Sequence, residues 1–237
     1  MADNSRAAHA ARTARRLCGL FLAVSVSCAP RAPLALTTAS APPRETGSFR
    51  EADLVELIRL DPTIRLDVRY ATPNNFVGRP VYGEARAFLQ RPAAEALVRA
   101  HRGLRDRGFG LLIFDGYRPW SVTKLFWETA TPEQRDRGFV ANPAKGSKHN
   151  RGSAVDLTLY DLQTGREVEM PSPYDEFSDR ADPDYAGGTA AQREHRDLLR
   201  AAMEREGFEV DPGEWWHYNF RDWQSYPILD IPFSAIR

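Results

Sequence analysis

Cysteine is nearly absent from this chain. Of its 237 residues only Cys18 and Cys28 carry a thiol, and both lie near the N-terminus. The remainder can form neither a disulfide framework nor a cysteine-ligated metal site. Any metal held there needs His, Asp or Glu. Neither sign of charge is in excess, because Lys plus Arg and Asp plus Glu number 32 each. That balance gives no electrostatic reason to expect a nucleic-acid or anionic-membrane partner. The apolar run Leu17 to Ala29 falls short of the roughly 20 residues that span a bilayer. Beyond residue 53 there is no repeat, low-complexity tract or second linker. What is present is a 42% apolar share, enough to bury a core and to exclude disorder for most of the chain.

The run Leu17 to Ala29 follows Arg12, Arg15 and Arg16, the layout of an export signal. We read residues 1–28 as such a segment, which directs the protein to the periplasm or cell envelope. Ser27 before Cys28, with Val24 and Val26 upstream, resembles a loose bacterial lipoprotein box, in which Cys28 carries the lipid anchor. Cleavage near Ala35 or Ala39 and a buried N-terminal helix are the alternatives. Pro30, Pro33, Pro42 and Pro43 make residues 29–50 a tether. Subunit number is not legible in the sequence.

Residues 51–237 read as one domain. Ile64, Leu66, Val68 and Tyr70 alternate with polar residues and predict a half-buried strand. Arg91 to Arg107, with Pro92 in its first turn and Gly108 as a stop, predicts a helix. A strand over Phe109 to Phe114 then delivers Asp115-Gly116-Tyr117-Arg118-Pro119, and Trp120 to Thr129 predicts a second helix. Ser153 to Tyr160 alternates cleanly, with Val155, Leu157 and Leu159 on one face and Asp156 on the other. Thr189 to Glu206 predicts a helix, and Trp215 to Phe220 a strand after the Asp211-Pro212-Gly213 turn. Without a βαβ rhythm, the expectation is an α+β fold with a mostly antiparallel sheet flanked by helices.

Of five histidines, His9 leaves with the signal, and His101 and His195 sit on Arg-rich helices where a solvated role is expected. His149 and His217 differ. His149 opens His-x6-Asp, in which Gly152 lets the chain bend and Asp156 follows on a strand; such a pair suits a borderline divalent ion. His217 closes Glu214-Trp215-Trp216-His217. Ligands His149, Asp156 and His217 leave one tetrahedral position for water, the mark of a catalytic zinc site. Glu214 is then the base and Arg118 the fixed charge facing an oxyanion. Spacing alone leaves an ordinary polar strand residue as the other reading of Asp156. Trp215 and Trp216 are read as core.

Three motifs bear on this choice: Asp115-Gly116-Tyr117-Arg118-Pro119, the stretch Ser147 to Tyr160 with its SxHxxGxAxD pattern, and Glu214-Trp215-Trp216-His217-Tyr218. They resemble the zinc D-alanyl-D-alanine dipeptidases of the VanX type, within the wider group of D,D-peptidases with a hedgehog-like fold. The resemblance implies one zinc ion on His149, Asp156 and His217, Glu214 as catalytic base and Arg118 steadying the transition state. It further implies that Ser147 and Asp175 hold the ammonium of a small D,D-dipeptide substrate. Asn150 stands where those enzymes tend to have serine. Two other functions stay open at this point: a D,D-carboxypeptidase or endopeptidase acting on peptidoglycan stem peptides, and a zinc-stabilised envelope binding module without turnover.

Overall fold

The computed structural model describes residues 40–237. The export segment read at 1–28, with Cys28, and the first part of the tether lie outside the described residues. In chain order the elements are β1 (Leu54–Glu56), α1 (Leu57–Leu60), β2 (Arg65–Leu66), β3 (Phe88–Gln90), α2 (Arg91–Arg105), β4 (Phe109–Asp115), α3 (Trp120–Thr129), α4 (Pro132–Asp136), β5 (Ala154–Asp161), α5 (Ala190–Arg205), β6 (Phe208–Asp211) and β7 (Glu214–Phe220). One five-stranded sheet runs β2-β4-β5-β7-β6, and β1 pairs with β3 in a two-stranded one. Every pair is antiparallel except β2 with β4, as the expected α+β class requires. Among the described residues no helix is long and apolar enough to cross a membrane.

Helix α2 opens with Pro92, whose missing N–H costs nothing in a first turn, and buries Ala93, Ala96, Leu97, Ala100 and Leu104. Helix α5 starts at a capping box in which Thr189 and Gln192 exchange side-chain and backbone hydrogen bonds at 3.1 and 2.8 Å. Both helices pack on the sheet. The charges of Arg196, Arg200 and Glu204 on α5 act on the buried Tyr218 hydroxyl of β7. Val155, the register partner of Tyr218, therefore lies on the helix-covered face, and Leu157 and Leu159 follow by alternation. Asp156, directly across from His217, falls on the opposite face.

Two irregularities then gather polar groups on that opposite face. A bulge between Ile113 and Asp115 sets Asp115 across from Asp156. A second register break, between Val210 and Asp211, distorts the start of β7. Glu214 and His217 are three residues apart and would point to opposite faces of a regular strand. Here their side chains approach to 3.7 Å.

Three expectations need correction. The strand predicted over Ile64 to Tyr70 shrinks to Arg65–Leu66, and the chain then winds into a 3-10 turn, Arg69–Ala71. Ile64, Val68 and Tyr70 are all buried, so the alternation recorded burial without a full strand. His101 is not solvated but fully buried. Its Nδ1 accepts the Leu111 N–H at 3.0 Å, which leaves the ring proton on Nε2, 2.9 Å from Thr63 Oγ1; it pins α2 to β4. Nor is the tether free along its whole length. Glu45 is paired with Arg151, and Arg50 reaches Asp222 at 2.6 Å.

Candidate active site

His149 begins a tight 3-10 turn, His149–Arg151, that enters β5 through Gly152. Gly152 adopts φ 67°, and a Cβ there would lie 2.5 Å from Leu54 Cδ2, so the bend requires glycine. The turn brings His149 back over the strand that carries Asp156. Asp156 Oδ1 lies 3.3 Å from His149 Nε2 and 3.0 Å from His217 Nδ1, and the two nitrogens are 3.1 Å apart. Ligands bonded tetrahedrally to zinc at about 2.0–2.1 Å stand about 3.3 Å from one another.

Each imidazole spends its far nitrogen on an outer partner. His149 Nδ1 meets the Gly116 carbonyl at 2.7 Å, and His217 Nε2 meets Asn219 Oδ1 at 2.8 Å. These contacts aim the near nitrogens at a common vertex. Asp156 Oδ1 is buried without a hydrogen-bond partner, while Oδ2 accepts from the Tyr174 hydroxyl at 3.1 Å. An orphaned carboxylate oxygen facing two imidazole nitrogens calls for a cation. Burial opposes ionisation of Asp156, but the two imidazoles win and hold it well below the usual carboxylate range. Burial also opposes charge on His217, yet Asp156 pulls the imidazole up to about 9. Without metal the cluster keeps a proton that a divalent ion would displace. The residues present fit a divalent metal.

Around the vertex lies a cavity of about 240 Å³, and Arg118, Ser147, Asp175 and Glu214 all line it. Burial pushes the Glu214 carboxyl up to about 8, with His217 opposing and Asp156 adding to the shift. The buried Arg118 guanidinium is held by Asp115 Oδ2 at 2.7 and 2.9 Å and reaches to 3.6 Å from Asp156 Oδ2. Asp175 takes the left-handed φ of 60°, and the Tyr70 hydroxyl donates to its Oδ2 at 3.0 Å. Burial raises Asp175 to about 7, and the Asp156 charge adds to the rise. Ser147 Oγ accepts the His149 N–H at 3.2 Å. All seven residues named from the sequence thus border one cleft.

A family model described as D-Ala-D-Ala dipeptidase, peptidase M15, matches residues 50–234. The chain belongs to this family. A D-alanyl-D-alanine dipeptidase of Escherichia coli (strain K12) is 32% identical over 183 residues, which cover 77% of this chain and 92% of the relative. The enzyme of the same name from Enterococcus faecium is 38% identical over 190 residues, 71% of this chain and 92% of its own. One from Streptomyces coelicolor (strain ATCC BAA-471 / A3(2) / M145) is 36% identical over 210 residues, 80% of this chain and 100% of its own. The resemblance drawn from the motifs is correct, and the chain is a metallopeptidase of the M15 D-Ala-D-Ala dipeptidase family.

Sequence reasoning missed the residues that hold this M15 site in shape. Asp115 anchors Arg118, Tyr174 fixes Asp156, Asn219 orients His217 and Tyr70 secures Asp175. Asn219 was within reach, since it follows His217 by two on one strand and therefore shares its face. Asn150 has a task of its own: its amide donates to the Arg118 carbonyl at 2.9 Å and to Thr123 Oγ1 at 2.8 Å. That ties the ligand turn to the start of α3.

Proposed function

We propose that the chain hydrolyses D-alanyl-D-alanine to two D-alanines, using one zinc ion on His149, Asp156 and His217. The carrying observation is the triangle of ligand atoms, 3.0 to 3.3 Å on a side, with Glu214 beside it at 3.7 Å. When bound, zinc supplies Lewis acidity that lowers the pKa of a water to about 7 and polarises the scissile carbonyl. With a divalent cation at the vertex, the Glu214 carboxyl returns to its ionised form, which takes the proton of the attacking water and passes it to the leaving amine. Arg118, held rigid by Asp115, presents a fixed positive charge to the developing oxyanion. Asp175 and Ser147 receive the substrate ammonium, and docking of that cation offsets the cost of ionising a buried carboxyl. The shared name of the curated relatives supports the substrate.

The test is release of D-alanine by zinc-loaded protein. Glu214→Ala should lower the rate by about 10² to 10⁴, and N-acetylated D-Ala-D-Ala should resist cleavage because its amine carries no charge. A Glu214→Ala rate equal to wild type contradicts the mechanism. Ready cleavage of the acetylated dipeptide moves the substrate to stem peptides.

Residues 1–28 support a location at the cell envelope, with Cys28 as the site of a lipid anchor. An exported dipeptidase cannot deplete the cytoplasmic D-Ala-D-Ala used for wall precursors, so scavenging or wall-peptide turnover is its role. Recovery of the mature protein from the cytosolic fraction would reverse this assignment.

A further inference from the structure

Glu45 lies upstream of the stretch matched by the family model, 50–234, yet it reaches the metal-ligand turn. Its Oε1 accepts from the Arg151 guanidinium, and its Oε2 accepts the Ile228 backbone N–H at 2.7 Å. Arg151 is the last residue of the turn that His149 begins, and it also donates to the Tyr226 carbonyl. The strap Tyr226 to Leu229 therefore lies against the ligand turn. The Leu229 N–H donates to the Asn150 carbonyl at 2.9 Å, and a Cβ on Gly146 would stand 2.3 Å from Ile228 Cδ1. Arg151 is only 8% exposed, and among the described residues Glu45 is the one carboxylate within 4.0 Å of it. A buried guanidinium stripped of its counter-charge is strongly disfavoured, and the chain around it shifts to reach solvent.

We propose that Glu45 is a positioning residue for the metal centre. It neutralises Arg151 and pins Ile228, and so clamps the turn that presents His149. The working unit then includes residue 45 rather than starting at the edge of the family match. This assignment rests on His149 being a metal ligand.

Full-length Glu45→Gln and Glu45→Ala test it beside wild type and Arg99→Ala. Arg99→Ala cuts a surface ion pair of 2.7 Å to Glu206, which touches neither the strap nor the ligand turn. Zinc affinity is read by competition with a chromophoric chelator, and thermal unfolding is followed in excess chelator. Replacing a direct partner of a metal ligand costs about 10- to 100-fold in affinity, so a residue acting one step further out should cost about 3- to 10-fold. That loss is expected in both Glu45 variants and not in Arg99→Ala, whose zinc affinity should stay at the wild-type level whatever its melting temperature. The near-isosteric Gln variant carries the test if the Ala variant does not fold. Wild-type zinc affinity in Glu45→Gln overturns the assignment, as does an equal loss in Arg99→Ala. Wild-type protein that binds no zinc overturns both this assignment and the metal site beneath it.

Discussion

Two imidazoles in this chain, His101 in the core and His217 at the edge of the cleft, have opposite chemistry because of what faces them. His217 is pulled up to about 9 by Asp156 despite burial, whereas burial takes His101 down to about 4. His101 also uses its one acceptor nitrogen on the Leu111 N–H, so protonation would break a buried hydrogen bond. Its effect on stability has a definite sign. Above the ordinary value of 6.5 both folded and unfolded states are neutral here, and the full stability is present. As pH falls toward 4, the unfolded chain takes a proton that the folded chain refuses, and stability drops. The share from this residue is about 2 kcal/mol by pH 5. Urea titrations at pH 7 and pH 5 should show wild type losing about 2 kcal/mol more than His101→Gln over that interval. Equal losses in the two proteins would contradict the buried neutral imidazole.

At the scale of elements, the exit of β4 does most to build the site. Gly116 sits so close to β3 that a Cβ would lie 2.7 Å from the Phe88 carbonyl, and its own carbonyl takes His149 Nδ1. Backbone cannot step aside as a flexible side chain can. Gly116→Ala should therefore cost about 1–3 kcal/mol, read as a lower melting temperature in metal-free protein. A melting temperature equal to wild type would show that the approach is not tight. Helices α2, α3 and α5 and strands β4, β5 and β7 were legible because periodicity, Pro92, Gly108 and the Asp211-Pro212-Gly213 turn mark them. Strands β1, β3 and β6 are short and carry no period long enough to read. The site follows the same logic: His149, Asp156 and His217, which meet in the triangle, lie within one motif or on one strand and could be named in advance. Tyr174, which reaches Asp156 from an aperiodic loop, and Asp115, turned into place by a bulge, could not.

For the whole molecule, the lack of cysteine beyond residue 28 leaves a metal only His and carboxylate ligands, and the cluster of that kind is assembled only when the sheet forms. His149 and His217 come from opposite ends of the domain's second half and meet because β5 and β7 are neighbours. Metal binding and folding are therefore linked. X-ray absorption at the zinc edge of loaded, full-length protein tests that centre most directly. One zinc per chain, four-coordinate, with two imidazoles and two oxygens at about 2.0–2.1 Å is the predicted result. A shell without imidazole scattering, or one unchanged by His149→Ala, would contradict it.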